Sequence, residues 1–252
     1  HRDLHSFPTR RSSDLMVAGK NASFIGDYLA FTAHQRERRK AAVQGFAVGS
    51  ATQFALVRAP DRFPDFKIMN IAANACVGGQ VVVPRERNPD ENTCSCAVKI
   101  TYGAFSYYTG GDLSGYATAR DMETPVAAAV GRVDAMKLNH HGFQDSVNPA
   151  FLATLRPRVM ALLAWDEWHP HPAAFKRLTD KAIYPGDRLI YATGRHPAAT
   201  RRFADQAAVF RPCGHVVIRV AAGGSSYRPF VLDPKTFSVM DSTDELPSRA
   251  NG

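Results

Sequence analysis

The chain has 252 residues, 45% hydrophobic, 21% charged and 10% aromatic, which supports one sizeable core or two small ones and excludes wholesale disorder. Its formal charge is +8, from 31 basic and 23 acidic residues, so the surface tolerates anionic partners without naming one. The longest unbroken apolar run, residues 159–165, is far short of the ~20 residues a membrane helix needs, which excludes an integral membrane segment in this chain.

The four cysteines (Cys76, Cys94, Cys96, Cys213) include no C-x-x-C pair and are too sparse for a disulfide scaffold, which leans toward a reducing, cytoplasmic compartment. Residues 5–15 read HSFPTRRSSDL and resemble, position for position, one reading frame of a common short-read sequencing adapter. A natural export signal would need an apolar stretch of ~7–15 residues after its basic start, and none follows. Residues 1–15 are therefore set aside as artefactual. That reading implies a coding sequence cut on its 5′ side, with Met16 not necessarily a start.

From Met16 on, the pattern is α/β. Over 27–43, Tyr28 and Phe31 stand three apart and Leu29 and Ala33 four apart, which predicts a helix. The following Arg36, Glu37, Arg38, Arg39 and Lys40 read first as a solvated helix face and second as a nucleic-acid contact. A strand is predicted over 66–73, a polar loop with two prolines over 83–93, and a hairpin from 97–102 and 105–109 around Gly103-Ala104. Cys94 and Cys96, one residue apart, would present both sulfurs on one face of a strand; two small buried residues is the first reading, a metal or redox role the second.

Strand and helix then alternate. Thr124-Pro125 opens a helix to about residue 132 with proline in the favoured first position, and 133–138 is a strand. Asn148-Pro149 repeats the signal for a helix to 155, and 159–164 is a strand buried on both faces. Pro172 opens a helix to about 182, and 189–192 is a strand. An antiparallel pair, 215–221 with 227–232, closes a domain over 16–240, and the polar tail 241–252 is expected to fray.

The chemistry sits at three successive strand ends, where α/β sheets collect ligands. These ends run into Gly110-Gly111-Asp112, into Asn139-His140-His141-Gly142, and into Trp165-Asp166-Glu167-Trp168-His169-Pro170-His171-Pro172. Each loop alone has a bland reading, as a turn, a surface histidine pair or a helix cap. Together, spaced by about one strand–helix–strand unit of roughly thirty residues, they place equivalent loops side by side and predict a metal or acid/base site.

The runs NTCSCAVKITYGAFSYYTGGDLSG, VDAMKLNHHGFQDSVNPAFLATLRPRVMALLAW and HPHPAAFKRL resemble the C-terminal part of a metallo-β-lactamase-fold hydrolase. The likeness is nearest to the branch also fused to competence DNA-uptake channel proteins, and the motif order is shared with phosphorylcholine esterases. It implies an αββα sandwich with a two-metal site, usually zinc, between its sheets. By position, Asp112 matches the aspartate that bridges both metals. The family's His-His-Gly and Gly-His-Pro motifs fall on His140-His141-Gly142 and Trp168-His169-Pro170, with Trp168 in place of glycine narrowing the rim. Side chains of neighbouring residues in extended chain point opposite ways, so His141 is assigned as a ligand and His140 as the catalytic group facing substrate. His169 would ligate the second metal, and His171 would lie outside the ligand set or at the helix entry.

The family's main ligand segment, H-x-H-x-D-H, does not occur in this sequence. A catalytic zinc wants about three protein ligands plus water, and Asp112, His141 and His169 cannot furnish that for two ions. The resemblance and the adapter together imply a metallo-β-lactamase-like hydrolase lacking its N-terminal sheet and inactive as it stands. Its expected cofactor is Zn2+ and its expected substrate a small-molecule or nucleic-acid phosphoester. The alternative class is a non-catalytic basic α/β module that binds nucleic acid or another polyanion, recognised by salt-dependent binding that survives loss of zinc and of His141.

Overall fold

The computed structural model describes residues 22–87, 90–116, 119–205 and 211–249, and the adapter-like residues 1–15 lie outside the described residues. The chain divides into two compact units, residues 1–47 and 48–252. In the first, α1 (Ala22–Arg39) starts earlier and stops sooner than the helix expected over 27–43. Lys40 takes a left-handed φ of 53°, through which a helix does not continue, and the Ala41 N–H turns back to the Gln35 carbonyl at 3.1 Å. Arg36, Arg38 and Arg39 are exposed, as a solvated basic face requires.

The second unit is a mixed α/β fold built on one large mixed sheet. Its strands are β1 (Phe66–Ala73), β2 (Cys76–Val77), β3 (Gln80–Val81), β4 (Ala97–Tyr102), β5 (Phe105–Thr109), β6 (Ala135–Lys137), β7 (Val159–Leu162) and β8 (Leu189–Ala192). They lie in the order β3-β2-β1-β4-β5-β6-β7-β8. From β5 to β8 neighbours are parallel; the other pairs are antiparallel. The parallel half follows from its crossovers: α2 (Glu123–Val130) joins β5 to β6, α3 (Pro149–Leu155) joins β6 to β7, and α4 (Pro172–Thr179) joins β7 to β8. A short α5 (Pro197–Arg202) follows β8.

Pleating explains why these strands read as continuous apolar runs. Met136, Met160 and Ile190 face the helices and join Val126, Phe151, Leu152, Leu155, Phe175 and Leu178 in the main core. Their neighbours Ala135, Val159 and Tyr191 point the other way, into a second core with Phe105, Tyr227 and Val231. That second core is roofed by an antiparallel sheet of β9 (His215–Val220), β10 (Ser226–Leu232), β11 (Val239–Ser242) and β12 (Leu246–Pro247), with β10 at its centre. Burial on both faces is what a parallel strand needs.

Several expectations shift. The helix expected to open at Thr124-Pro125 begins at Glu123, so Pro125 sits within the first turn rather than at its start. The carboxylate of Asp121 takes the role given to Thr124, accepting from the Thr124 N–H at 3.1 Å. Asn148 caps α3 as expected, its side chain accepting from the Phe151 N–H at 2.7 Å. Cys94 and Cys96 precede β4 and lie outside any strand, and all four cysteines are free thiols. The tail expected to fray instead pairs through β11 and β12 with β10, because β10 would otherwise leave backbone donors and acceptors unpaired. No described helix is long and apolar enough to cross a membrane.

Gly103, at the tip of the β4–β5 hairpin with φ 54°, meets Gly223 and Gly224 at the tip of the β9–β10 turn. A Cβ on Gly103 or Gly224 would collide with the facing backbone, so glycine is required for contact as well as for conformation.

Candidate functional site

Asp112, His140, His141 and His169 follow the C-terminal ends of β5, β6 and β7, which parallel pairing sets side by side. His141 is the hub. Its Nδ1 lies 2.7 Å from the Leu163 carbonyl, which only accepts, so Nδ1 carries a hydrogen. Its Nε2 lies 3.4 Å from Asp112 Oδ1, and the ring stacks on His169 with centroids 4.6 Å apart. Three of the residues expected to ligate metal therefore come together on one rim.

His169 uses the opposite pattern. Its Nδ1 accepts from the Asp166 N–H at 3.3 Å, whereas a metal-bound histidine donates from its second nitrogen. Burial, and then the neighbouring His141, hold its pKa below the ordinary histidine value, which keeps the ring neutral. Among the described residues no group of three or more His, Cys, Asp or Glu side chains is set to hold a metal ion.

His140 is engaged by other partners, and the extended chain on which its assignment rested is not found. The chain here is not extended: His140 and His141 both adopt left-handed φ values of 43° and 53°, an uncommon conformation for non-glycine residues. His140 Nδ1 pairs with Asp145 Oδ1 at 2.9 Å, and the Asn92 amide lies 3.4 Å from Nε2. The hydrogen bond to Asp145 raises the pKa of His140 above the usual histidine range against the opposing effect of burial. Burial pushes the carboxyl of Asp145 up, but the hydrogen bond and charge of His140, with the hydrogen bond from Ser114, together bring its pKa below the usual carboxylate value.

His171 caps α4, its Nδ1 accepting from the Ala173 N–H at 3.2 Å, and His196 caps α5 in the same way through Ala198. The repeated His-Pro start makes helix entry the structural role of His171. Trp168 stacks on His171 at 5.4 Å, and the Arg202 guanidinium lies 4.2 Å from the centre of the Trp168 ring.

Four positioning groups carried no clear sequence signal. Lys137 stands 3.9 Å from Asp112 and donates to the Gly111 carbonyl, with burial pulling its pKa below the usual lysine value. Glu123 is fully buried and accepts from Asn139 Nδ2 at 2.9 Å and from the N–H groups of Val147 and Asn148 at 2.7 Å each. Burial raises its carboxyl pKa to about 7 despite those donors. Arg177 takes the carbonyl side of the same loop, donating to Gln144, Ser146 and Val147. Asp145 is the fourth; its place shortly after His-His-Gly was visible, but its pairing with His140 depends on the left-handed turn. Glu123 and Arg177 thus clamp residues 139–148 from both sides.

No protein-family model matches this chain, and no curated protein matches it. Function must be read from the rim itself.

Proposed function

We propose that this rim belongs to a metal-dependent hydrolase of phosphoester or phosphodiester bonds, with Asp112 and His141 as the first metal ligands. One observation carries the reading: a histidine ring nitrogen faces a carboxylate oxygen at 3.4 Å, fixed there by the bond from Nδ1 to Leu163. Two electron-rich atoms at that separation repel unless a cation or proton lies between them. The distance equals the ~3.4 Å edge of a tetrahedron with metal–ligand bonds of about 2.1 Å. The anchored Nδ1–H is the outer partner that ligand histidines use. Asp112 and His141 would supply two ligands to one divalent metal, and His169 would become the third only after its Nδ1 leaves the Asp166 N–H.

A bound zinc would polarise the phosphoryl group and activate a water. His140, hydrogen-bonded to Asp145, would steady the developing anion or protonate the leaving alkoxide. The resembled αββα fold and its second metal belong to this proposal too. Because H-x-H-x-D-H is absent from these 252 residues, zinc binding is expected of this chain and full turnover is not.

The test is equilibrium dialysis against Zn2+ with metal analysis, followed by hydrolysis of bis(p-nitrophenyl) phosphate with and without EDTA. The expected result is zinc uptake that falls together in His141→Ala and Asp112→Asn, with any trace of hydrolysis abolished by EDTA. No uptake, or uptake indifferent to both changes, overturns the metal site. Uptake with EDTA-insensitive hydrolysis keeps the metal and removes the hydrolase. Polyanion binding that survives zinc removal and His141→Ala would favour the non-catalytic basic module.

A further inference from the structure

β9 is an open edge of the four-stranded sheet. It pairs with β10 alone, and among the described residues nothing else bonds to the backbone of His215–Val220. The bond from the Ala221 N–H to the Ser226 carbonyl, 2.9 Å, fixes which groups are free, since antiparallel bonds alternate along a strand. His215, Val217 and Arg219 turn their N–H and C=O groups toward β10, and Val216, Ile218 and Val220 turn theirs to the open side. Pro229 agrees with this register. It faces Ile218 in a pair that exchanges no backbone bond, so its missing N–H weakens nothing between the two strands.

The opposite edge is guarded: β11 has four residues and a register shift against β10, and β12 has two, the second a proline. β9 has six residues, with neither bulge nor proline. The core also thins toward it. Tyr227, Pro229 and Val231 of β10 are buried, but their neighbours on the same face, Val220, Ile218 and Val216, are only half-buried. One more strand would complete their cover.

Charge says what that strand carries. On the outer face Arg219 stands directly opposite Arg228, and like charges so placed destabilise a sheet. Among the described residues neither arginine has an ion-pair partner. Asp244 and Glu245 lie across β10 from β9, and Glu245 is taken by the Ser226 hydroxyl. A second copy joined through β9 brings no counter-charge, because His215–Val220 contains no acid.

We propose that β9 is the docking edge for an extended segment of a partner protein that alternates apolar and acidic residues and adds as an antiparallel strand. Its backbone bonds to Val216, Ile218 and Val220, and its apolar side chains extend the cover of the second core. An acidic residue stands opposite Arg219, in a pair without backbone bonds, where facing side chains come closest.

The test uses the whole chain and three capped probes: a peptide alternating valine with glutamate, one alternating valine with lysine, and the glutamate peptide N-methylated at its valines. Isothermal titration and amide hydrogen exchange are the readouts. The glutamate peptide is expected to bind best and to slow exchange at Val216, Ile218 and Val220, while the N-methylated peptide, which lacks the donors, should not bind. Arg219→Glu changes an exposed side chain away from the rim. It should weaken the glutamate peptide roughly 2- to 30-fold and strengthen the lysine peptide by a similar factor. No binding by the glutamate peptide, equal affinity for the two charged peptides, or binding that leaves those amides fast overturns the proposal. So does a dimer, seen by sedimentation, that protects the same amides without any peptide, since the occupant is then a second copy.

Discussion

Glu123 and Asp134 are both fully buried carboxylates, yet they sit at opposite ends of the parallel sheet and are satisfied in different ways. Asp134, just before β6, accepts from the Ser106 N–H at 2.9 Å and is paired with Arg249, whose backbone N–H donates at 2.9 Å and whose Nε lies 3.4 Å away. Arg249 also reaches the Val133 and Arg156 carbonyls, so this acid pins the C-terminal segment to the base of the sheet. Glu123, at the rim end, has three N–H partners and, among the described residues, no ion pair. A charge with a cation beside it anchors; a charge held only by dipoles is poised between its two protonation states. The difference puts a titratable clamp under the candidate site and an ion-paired one under the tail.

Removing each acid should break the comparison most sharply. Glu123→Ala strands two backbone N–H groups and the Asn139 amide in the core, and the expected loss is about 3–5 kcal/mol of unfolding free energy in urea. It should also loosen residues 139–148, so hydrogen exchange at Val147 and Asn148 should speed up. Asp134→Ala should cost a similar amount but leave exchange at those two amides near its original rate, raising it at Arg249 and Ser106 instead. If both variants loosen the same amides, the two clamps are not separate.

The next effect is one of pH. Burial raises the folded-state pKa of Glu123 from its ordinary 4.5 to about 7, so between those values the folded chain holds a proton that the unfolded chain releases. Stability contributed by that proton is full below about pH 4.5 and is lost as pH rises through about 7, at most about 3 kcal/mol by linkage. Raised His140 adds loss in the same direction, and lowered His169 and His171 oppose it. The difference between wild type and Glu123→Gln isolates the acid: the gap in urea midpoint free energy should change between pH 5 and pH 8. A constant gap would mean Glu123 stays ionised throughout.

The strands at 66–73, 97–102 and 105–109 were legible because β-branched and aromatic residues recur between turn signals, and the structure keeps those limits. The three rim loops were legible because each follows an apolar strand at one βαβ interval. Glu123 was not legible, since an acid in a first helical turn reads as a partner for the helix dipole, and only tertiary packing buries it. The two strands of 76–81 were missed because each is only two residues long, too short for a period to register. The tail strands were hidden because a polar segment pairs through its backbone, which composition does not display. The left-handed pair at His140 and His141 was invisible because positive φ is uncommon for any non-glycine residue, and the loop that carries it is held by tertiary contacts from Glu123 and Arg177 to residues 139 and 144–148.

The smallest effect sharpens the comparison through Tyr108. Its hydroxyl donates to Asn139 Oδ1 at 3.2 Å, which leaves Asn139 Nδ2 to serve Glu123. Gly110 leaves room for that hydroxyl, since a Cβ there would collide with it and stand 2.7 Å from Asn139 Oδ1. Tyr108→Phe removes one buried hydrogen bond and should cost about 1 kcal/mol by itself. In a double-mutant cycle with Glu123→Gln it should show a coupling of about 0.5–3 kcal/mol, because the Asn139 amide is the shared partner. With Arg249→Ala, at the other end of the sheet, the two losses should add to within about 0.5 kcal/mol. Coupling to Arg249 as strong as to Glu123 would mean that the rim and the base respond as one network, and the division between a poised clamp and a fixed one would fail.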